Sequence, residues 1–196
     1  MVRKVAVSSF LGNFIEWFDY ASYSYFATTI ALVFFPTDNH TVAMLQTFGV
    51  FALSFILRPI GALFWGSYGD KKGRKAALAH SIMFMSGASF LIGCLPSYSV
   101  IGVGAPILLL LLRMVQGFSA SGEYAGAATF LGEYAPTSKR GIYCSLIPAS
   151  TAIGLLAGST LATLMTANMN SSAMVGWGWR VPFLLSAILV IVGLVI

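Results

Sequence analysis

The sequence predicts an all-α polytopic membrane protein with about six spans, each near the roughly 20 apolar residues needed to cross a bilayer. Three observations carry this. Of 196 residues, 58% are hydrophobic and only 9% charged, against about 25% charged in a soluble domain. Apolar runs of spanning length recur between polar breaks. Lysines and arginines gather in alternate breaks, as the loops on one face of a membrane do.

The first run, near 6–35, ends at PTDNH (36–40). It is too long and too acidic for a signal peptide and lacks a small-residue cleavage site. The second, near 42–68, holds FILRPIGALFWG, where Pro59 and Gly61 soften the helix beside Arg58. DKKGRK (70–75) leads into the third, near 75–95, which LPSYS (95–99) closes. The fourth, near 101–134, exceeds bilayer length and must tilt or project into the cytoplasm. APTSKR (135–140) precedes the fifth, near 141–167, where Pro148 implies a bend and Gly154 and Gly158 form a small-xxx-small face. NMNSS and GWGWR lead to the sixth, near 181–196, with Trp177 and Trp179 expected in an aromatic belt.

Arg3 and Lys4, the 71–75 cluster, and Lys139 with Arg140 share one face, and Arg180 stands on the other. The positive-inside rule makes that basic face, with the N-terminus, cytoplasmic. The net charge of +5 is therefore a loop signal and not a nucleic-acid surface. Cys94 and Cys144 fall near opposite faces and are expected as free thiols. The apolar end, ILVIVGLVI, suggests a truncated chain or one half of a longer protein.

Charges at helix centres cost about 2.5–3.5 kcal/mol on insertion scales, so those at membrane depth are the candidate site. They are Glu16, Asp19, Arg58, Arg113 and Glu123. In GNFIEWFDYASY, Asn13, Glu16, Tyr20 and Tyr23 follow helical spacing with Asp19 beside them. This polar stripe suits the wall of a cavity. Two close carboxylates in a low dielectric resist double ionisation, so one can load and release a proton. The alternative is that both acids pair with Arg58 or Arg113 and lock helices together. Arg113 and Glu123 lie roughly 15 Å apart along one helix, with Gln116, Ser119 and Ser121 between. The arginines could grip a substrate carboxylate in bidentate fashion or serve as partners for the acids. His80 is either a relay or a partnered interfacial histidine. No nucleophile–base pair, metal-ligand cluster or phosphate loop points to an enzyme.

Residues 66–75, GSYGDKKGRK, resemble the signature loop of the major facilitator superfamily at Gly66, Asp70, Lys71, Gly73, Arg74 and Lys75. GNFIEWFDY, RPIGALFWG, APILLLLLRMVQGFSASGEY, EYAPTSKRG and WGWRVPF resemble its metabolite:proton symporter branch, which carries proline and betaine, 2-oxoglutarate, citrate or shikimate. SYSVIGVGAPILLLLLRMVQGFS is most similar to the proline and glycine betaine carriers.

The resemblance covers nearly the whole chain and about half of a typical member. It implies the N-terminal half of a twelve-helix fold, with 3+3 inverted repeats and halves that rock about a midplane site. It also implies that Asp70 and Arg74 gate the cytoplasmic side and that Arg113 serves proton coupling. Ser121 departs from the glycine common at that place. A bacterial inner-membrane symporter follows, with Glu16, Asp19, Tyr20, Tyr23, Arg58, Arg113, Gln116 and Glu123 along the path of solute and proton. Its partners are a small organic solute, membrane lipid and a C-terminal six-helix half. No cofactor is implied beyond the proton as coupling ion. A drug/proton antiporter and a six-helix assembly partner without transport are the alternatives.

Overall fold

The computed structural model describes residues 2–121, 132, 135–186 and 188, with the backbone alone at 2–5, 8 and 75. The described residues are nearly all helical. His40–Lys72, Ala76–Cys94 and Thr137–Asn168 are each long and apolar enough to cross a membrane.

The first span comprises Val2–Tyr25 and Ala27–Phe34. It passes through Phe26 without losing its helical bonds: Phe26 N–H donates to the Ser22 carbonyl at 2.9 Å, and Ile30 N–H to the Phe26 carbonyl at 2.8 Å. Ile15, Phe18, Tyr23, Phe26, Ile30 and Phe34 are all buried, so this span is an inner element of the bundle. It packs mainly on the fifth span, while the fourth packs on the second and third.

Asn39 starts the second span by accepting the Thr41 and Val42 N–H groups on its side-chain oxygen, at 3.0 and 3.3 Å. Pro59 divides that span into His40–Ile56 and Arg58–Lys72, because proline offers no N–H to the ladder. Gly61 N–H resumes the pattern on the Leu57 carbonyl at 2.9 Å. The expected loop at 70–75 is much shorter than its composition suggests. Helix runs to Lys72 and restarts at Arg74, leaving Gly73 alone between them. Gly73 has φ of +96°, a conformation that costs glycine little and lets the chain reverse within one residue.

The third span is Arg74–Cys94, and a short helix, Tyr98–Ile101, precedes the fourth, Gly104–Ala120. The expected extension of the fourth span toward 134 lies mostly outside the described residues. The fifth, Arg140–Asn168, continues through Pro148. Asn170 caps Ser171–Gly176 by accepting Ala173 N–H at 2.8 Å, and the sixth span begins with helix over 181–186. Cys94 and Cys144 are free thiols.

Trp179 is not an interfacial belt residue. It is fully buried, edge-on to Phe34 at 5.2 Å. Trp177 stays exposed. The difference comes from Arg180, which lies over the Trp179 ring at 4.5 Å and donates to the Gly93 and Leu95 carbonyls at 2.8 and 2.6 Å. Those carbonyls end the third span and have no helical partner, so one guanidinium caps that helix while lying over the buried indole beside it.

Helices close on one another at glycine. A Cβ built on Gly117 would stand 2.0 Å from the Ser54 carbonyl oxygen, and one on Gly61 2.1 Å from that of Phe118. These two notches seat the second and fourth spans backbone against backbone. Gly154 and Gly158 do the same for the fifth against the first, at 2.6 Å from the Phe14 carbonyl oxygen and 2.6 Å from the Ala21 Cβ. Gly117→Ala and Gly154→Ala should each destabilise the protein by about 1–3 kcal/mol through overpacking. Gly49→Ala, with nothing within 4 Å of its Cβ, should not destabilise it. Reversible unfolding in detergent, followed by circular dichroism, reads the difference.

Candidate functional site

The polar stripe of the first span lies between helices and does not form an open cavity wall. Glu16 and Asp19 are each 2% exposed and Arg113 is 1% exposed. The acids stand three positions apart, so at roughly 100° per residue they diverge by about 60° and meet different neighbours.

Asp19 faces the third and fourth spans. Arg113 Nη1 donates to Asp19 Oδ2 at 2.6 Å. Ser89 Oγ and Gln116 Nε2 each donate to Asp19 Oδ1 at 3.2 Å, and Gln116 Nε2 also reaches Ser89 Oγ at 2.6 Å. The Arg113 guanidinium lies 3.8 Å above the Tyr23 ring and 5.5 Å from that of Phe183. Tyr23 in turn donates its hydroxyl to the Thr47 carbonyl at 2.9 Å. Among the described residues, Arg113 Nε and Nη2 and Gln116 Oε1 are buried without a partner, so the cluster holds hydrogen-bonding capacity beside an ion pair.

Glu16 faces the second span. Arg58 Nη2 donates to Glu16 Oε1 at 2.6 Å and also to the Tyr20 hydroxyl. Arg58 keeps 28% of its side chain exposed while Glu16 is sealed beneath it. The break before Pro59 puts Arg58 at the start of a new helical segment, opposite the acid. Asn13 joins the fifth span through its amide nitrogen, which lies 3.0 Å from the Ile147 carbonyl and 2.8 Å from the Ser150 and Thr151 hydroxyls.

The site residues expected from sequence thus separate into two clusters. Glu16, Tyr20 and Arg58 form one; Asp19, Tyr23, Arg113 and Gln116 form the other. Both arginines hold acids, the arrangement in which they serve as carboxylate partners. Glu123 lies outside the described residues. Ser89 and Thr47 were not singled out by sequence, since an isolated hydroxyl in an apolar helix carries no distinctive signal. His80 is partnered: its Nδ1 meets the Ala76 carbonyl at 2.7 Å, and its ring stands edge-on to Tyr68.

At the 66–75 segment Asp70 and Arg74 pair at 2.8 Å across the Gly73 turn, both exposed. Gly66 meets nothing within 4 Å of a built Cβ, Lys71 is exposed, and the Lys75 side chain lies outside the described residues. Ser121 Oγ donates to the Phe118 carbonyl at 2.7 Å and crowds the Gly61 notch, 2.4 Å from a Cβ built there. Among the described residues no group of three or more His, Cys, Asp or Glu could hold a metal ion.

Residues 4–196 match the family described as sugar (and other) transporter. The proline/betaine transporters of Salmonella typhimurium and Escherichia coli K12 are each 42% identical over 193 residues, covering 98% of this chain and 39% of theirs. A glycine betaine/proline/ectoine/pipecolic acid transporter of Dickeya dadantii is also 42% identical, with 38% of its length covered. The chain therefore spans about two fifths of the length of these relatives. Its fold is similar to the proton:xylose symporter XylE, a major facilitator superfamily structure, with a TM-score of 0.81 at 18% identity over 99% of this chain and 43% of that one. The inward-open xylose transporter XylE from E. coli gives 0.83 at 16% identity, over 100% and 47%.

Removing one member of a buried ion pair strands the other, at a cost of about 3–5 kcal/mol. Arg113→Ala should destabilise the protein by that amount. The double variant Asp19→Asn, Arg113→Gln leaves no buried charge there and should recover most of the loss. Denaturant unfolding of the purified variants in detergent measures both.

Proposed function

Because the chain belongs to the sugar (and other) transporter family of the major facilitator superfamily, we propose that it forms the N-terminal half of a proton-coupled symporter for a small organic solute. The observation that carries the coupling is the Asp19–Arg113 pair at 2.6 Å, both side chains 2% exposed or less. The charge on Asp19 is what ties it to the guanidinium, beside the hydrogen bonds from Ser89 and Gln116, and a proton placed on it removes that charge. The Arg113 guanidinium then loses its ionic anchor on the first span, and the third and fourth spans can shift relative to it. Arg113 Nε and Nη2 and Gln116 Oε1 supply hydrogen bonds that can take over as the ion pair opens. Proton loading thereby becomes a helix displacement that carries bound solute with it.

The similarity to proline and betaine carriers at 42% identity supports a small osmolyte as solute. The clusters at 71–75 and 139–140 support a cytoplasmic N-terminus in a bacterial inner membrane. Asp70 and Arg74, paired across a one-residue turn, suit a contact that forms in one state of the cycle and breaks in the other.

In liposomes containing the full-length protein, an inward pH gradient should drive accumulation of labelled proline or glycine betaine. Asp19→Asn should reduce gradient-driven uptake at least tenfold while retaining exchange of solute in the absence of a gradient. Wild-type rate and pH dependence in that variant would disprove the coupling role.

A further inference from the structure

Arg58, like Arg113, lies over aromatic rings, but it is partly open where Arg113 is sealed. Its Cζ lies 4.5 Å from the centroid of Phe55 and 5.1 Å from that of Tyr20. Phe51 stands edge-on to both, at 5.2 Å from Phe55 and 5.5 Å from Tyr20, and Trp17 is edge-on to Tyr20 at 5.9 Å. A cluster of rings with one carboxylate, Glu16, thus surrounds a single cation. Whereas Arg113 is sealed, 28% of the Arg58 side chain and 40% of Phe55 are exposed. A guanidinium standing half out of an apolar bundle is costly against hydrocarbon, so this opening faces water or protein.

Building on the carrier reading, we propose that this ring cluster is the seat for the cationic pole of a zwitterionic solute, a quaternary or secondary ammonium carboxylate, and that Arg58 occupies it until solute arrives. Cations centred over aromatic faces are attracted by the ring quadrupole, and quaternary ammonium groups favour such cages because they donate no hydrogen bonds to water. When solute binds, its ammonium takes the rings beside Glu16, and Arg58 moves off them onto the solute carboxylate. Arg58 Nε, buried without a partner among the described residues, supplies the second prong beside Nη2 for a bidentate grip.

Charge accounting selects the zwitterion. A simple anion that drew Arg58 away would leave Glu16 buried and unpaired. A simple cation that displaced Arg58 would leave the guanidinium without a counter-ion. A solute with both poles keeps each of the four charges beside an opposite one.

The test compares three probes on the full-length protein in liposomes: glycine betaine; 3,3-dimethylbutanoate, in which carbon replaces the quaternary nitrogen; and choline, which lacks the carboxylate. Wild-type protein should bind glycine betaine at least tenfold more tightly than either of the others. Phe55→Leu should weaken glycine betaine about tenfold and leave 3,3-dimethylbutanoate unchanged, while Phe55→Trp keeps the preference. Equal affinity for glycine betaine and 3,3-dimethylbutanoate in the wild type overturns the proposal without any variant. So does a Phe55→Leu protein that retains wild-type discrimination. If solute still accumulates under a pH gradient in either case, the carrier reading stands and only the aromatic seat falls. Absence of any gradient-driven uptake overturns both.

Discussion

Two carboxylates on one helix have to be neutralised inside an apolar bundle, and this requirement organises the structure. Glu16 and Asp19 are too deeply buried to be served by water. Each takes an arginine from another span at 2.6 Å. Their three-residue separation directs them to different neighbours, so the first span is tied to the second through Glu16 and to the third and fourth through Asp19. Such pairs contribute little net stability, because desolvation offsets most of the attraction. They do fix which helix lies against which, and rotating the first span would strand both acids.

The ties work only because the helices come close enough for short side chains to meet. Gly61 and Gly117 bring the second and fourth spans to backbone contact, and Gly154 and Gly158 bring the fifth onto the first. On the fifth-span side, Asn13 can then reach the Ile147 carbonyl and the Ser150 and Thr151 hydroxyls. Glycine packing and polar pairing are thus two aspects of one arrangement. Apolar contact alone discriminates poorly among helices in lipid, and the buried polar partners supply the register.

The sequence made the architecture legible because hydrocarbon imposes a simple rule: long apolar runs, polar breaks and few charges. Intramembrane charges stood out for the same reason, and the charged residues of both clusters could be named from them, though Ser89 and Thr47 could not. Which acid met which arginine could not be read, since that depends on helix rotation and the break before Pro59. The sequence leaves open whether the polar stripe lines a cavity or locks helices together, because a helical wheel shows a face and not what covers it. Trp179 shows the same limit. Its position just before an apolar run suggested the interface, but its ring is buried against Phe34 while Arg180 reaches back to the Gly93 and Leu95 carbonyls. The turn at Gly73 looked longer than it is because its flanking lysines and arginine are polar yet helical.

Exposure alone does not separate lipid-facing from protein-facing surface in a six-helix unit whose relatives are more than twice its length. Charge does. Leu45, Leu63 and Ile56 are strongly exposed and suit acyl chains. Arg58 lies on the same span, two residues after Ile56, with its guanidinium partly open, and hydrocarbon does not tolerate that without compensation. The second span therefore presents two kinds of surface within a few residues. Arg113, on the adjacent fourth span, is covered completely. One acid–arginine pair can be reached from outside the unit and the other only if helices move. On the proposed carrier reading, that difference would separate a station that meets solute from one that senses whether the helices have shifted.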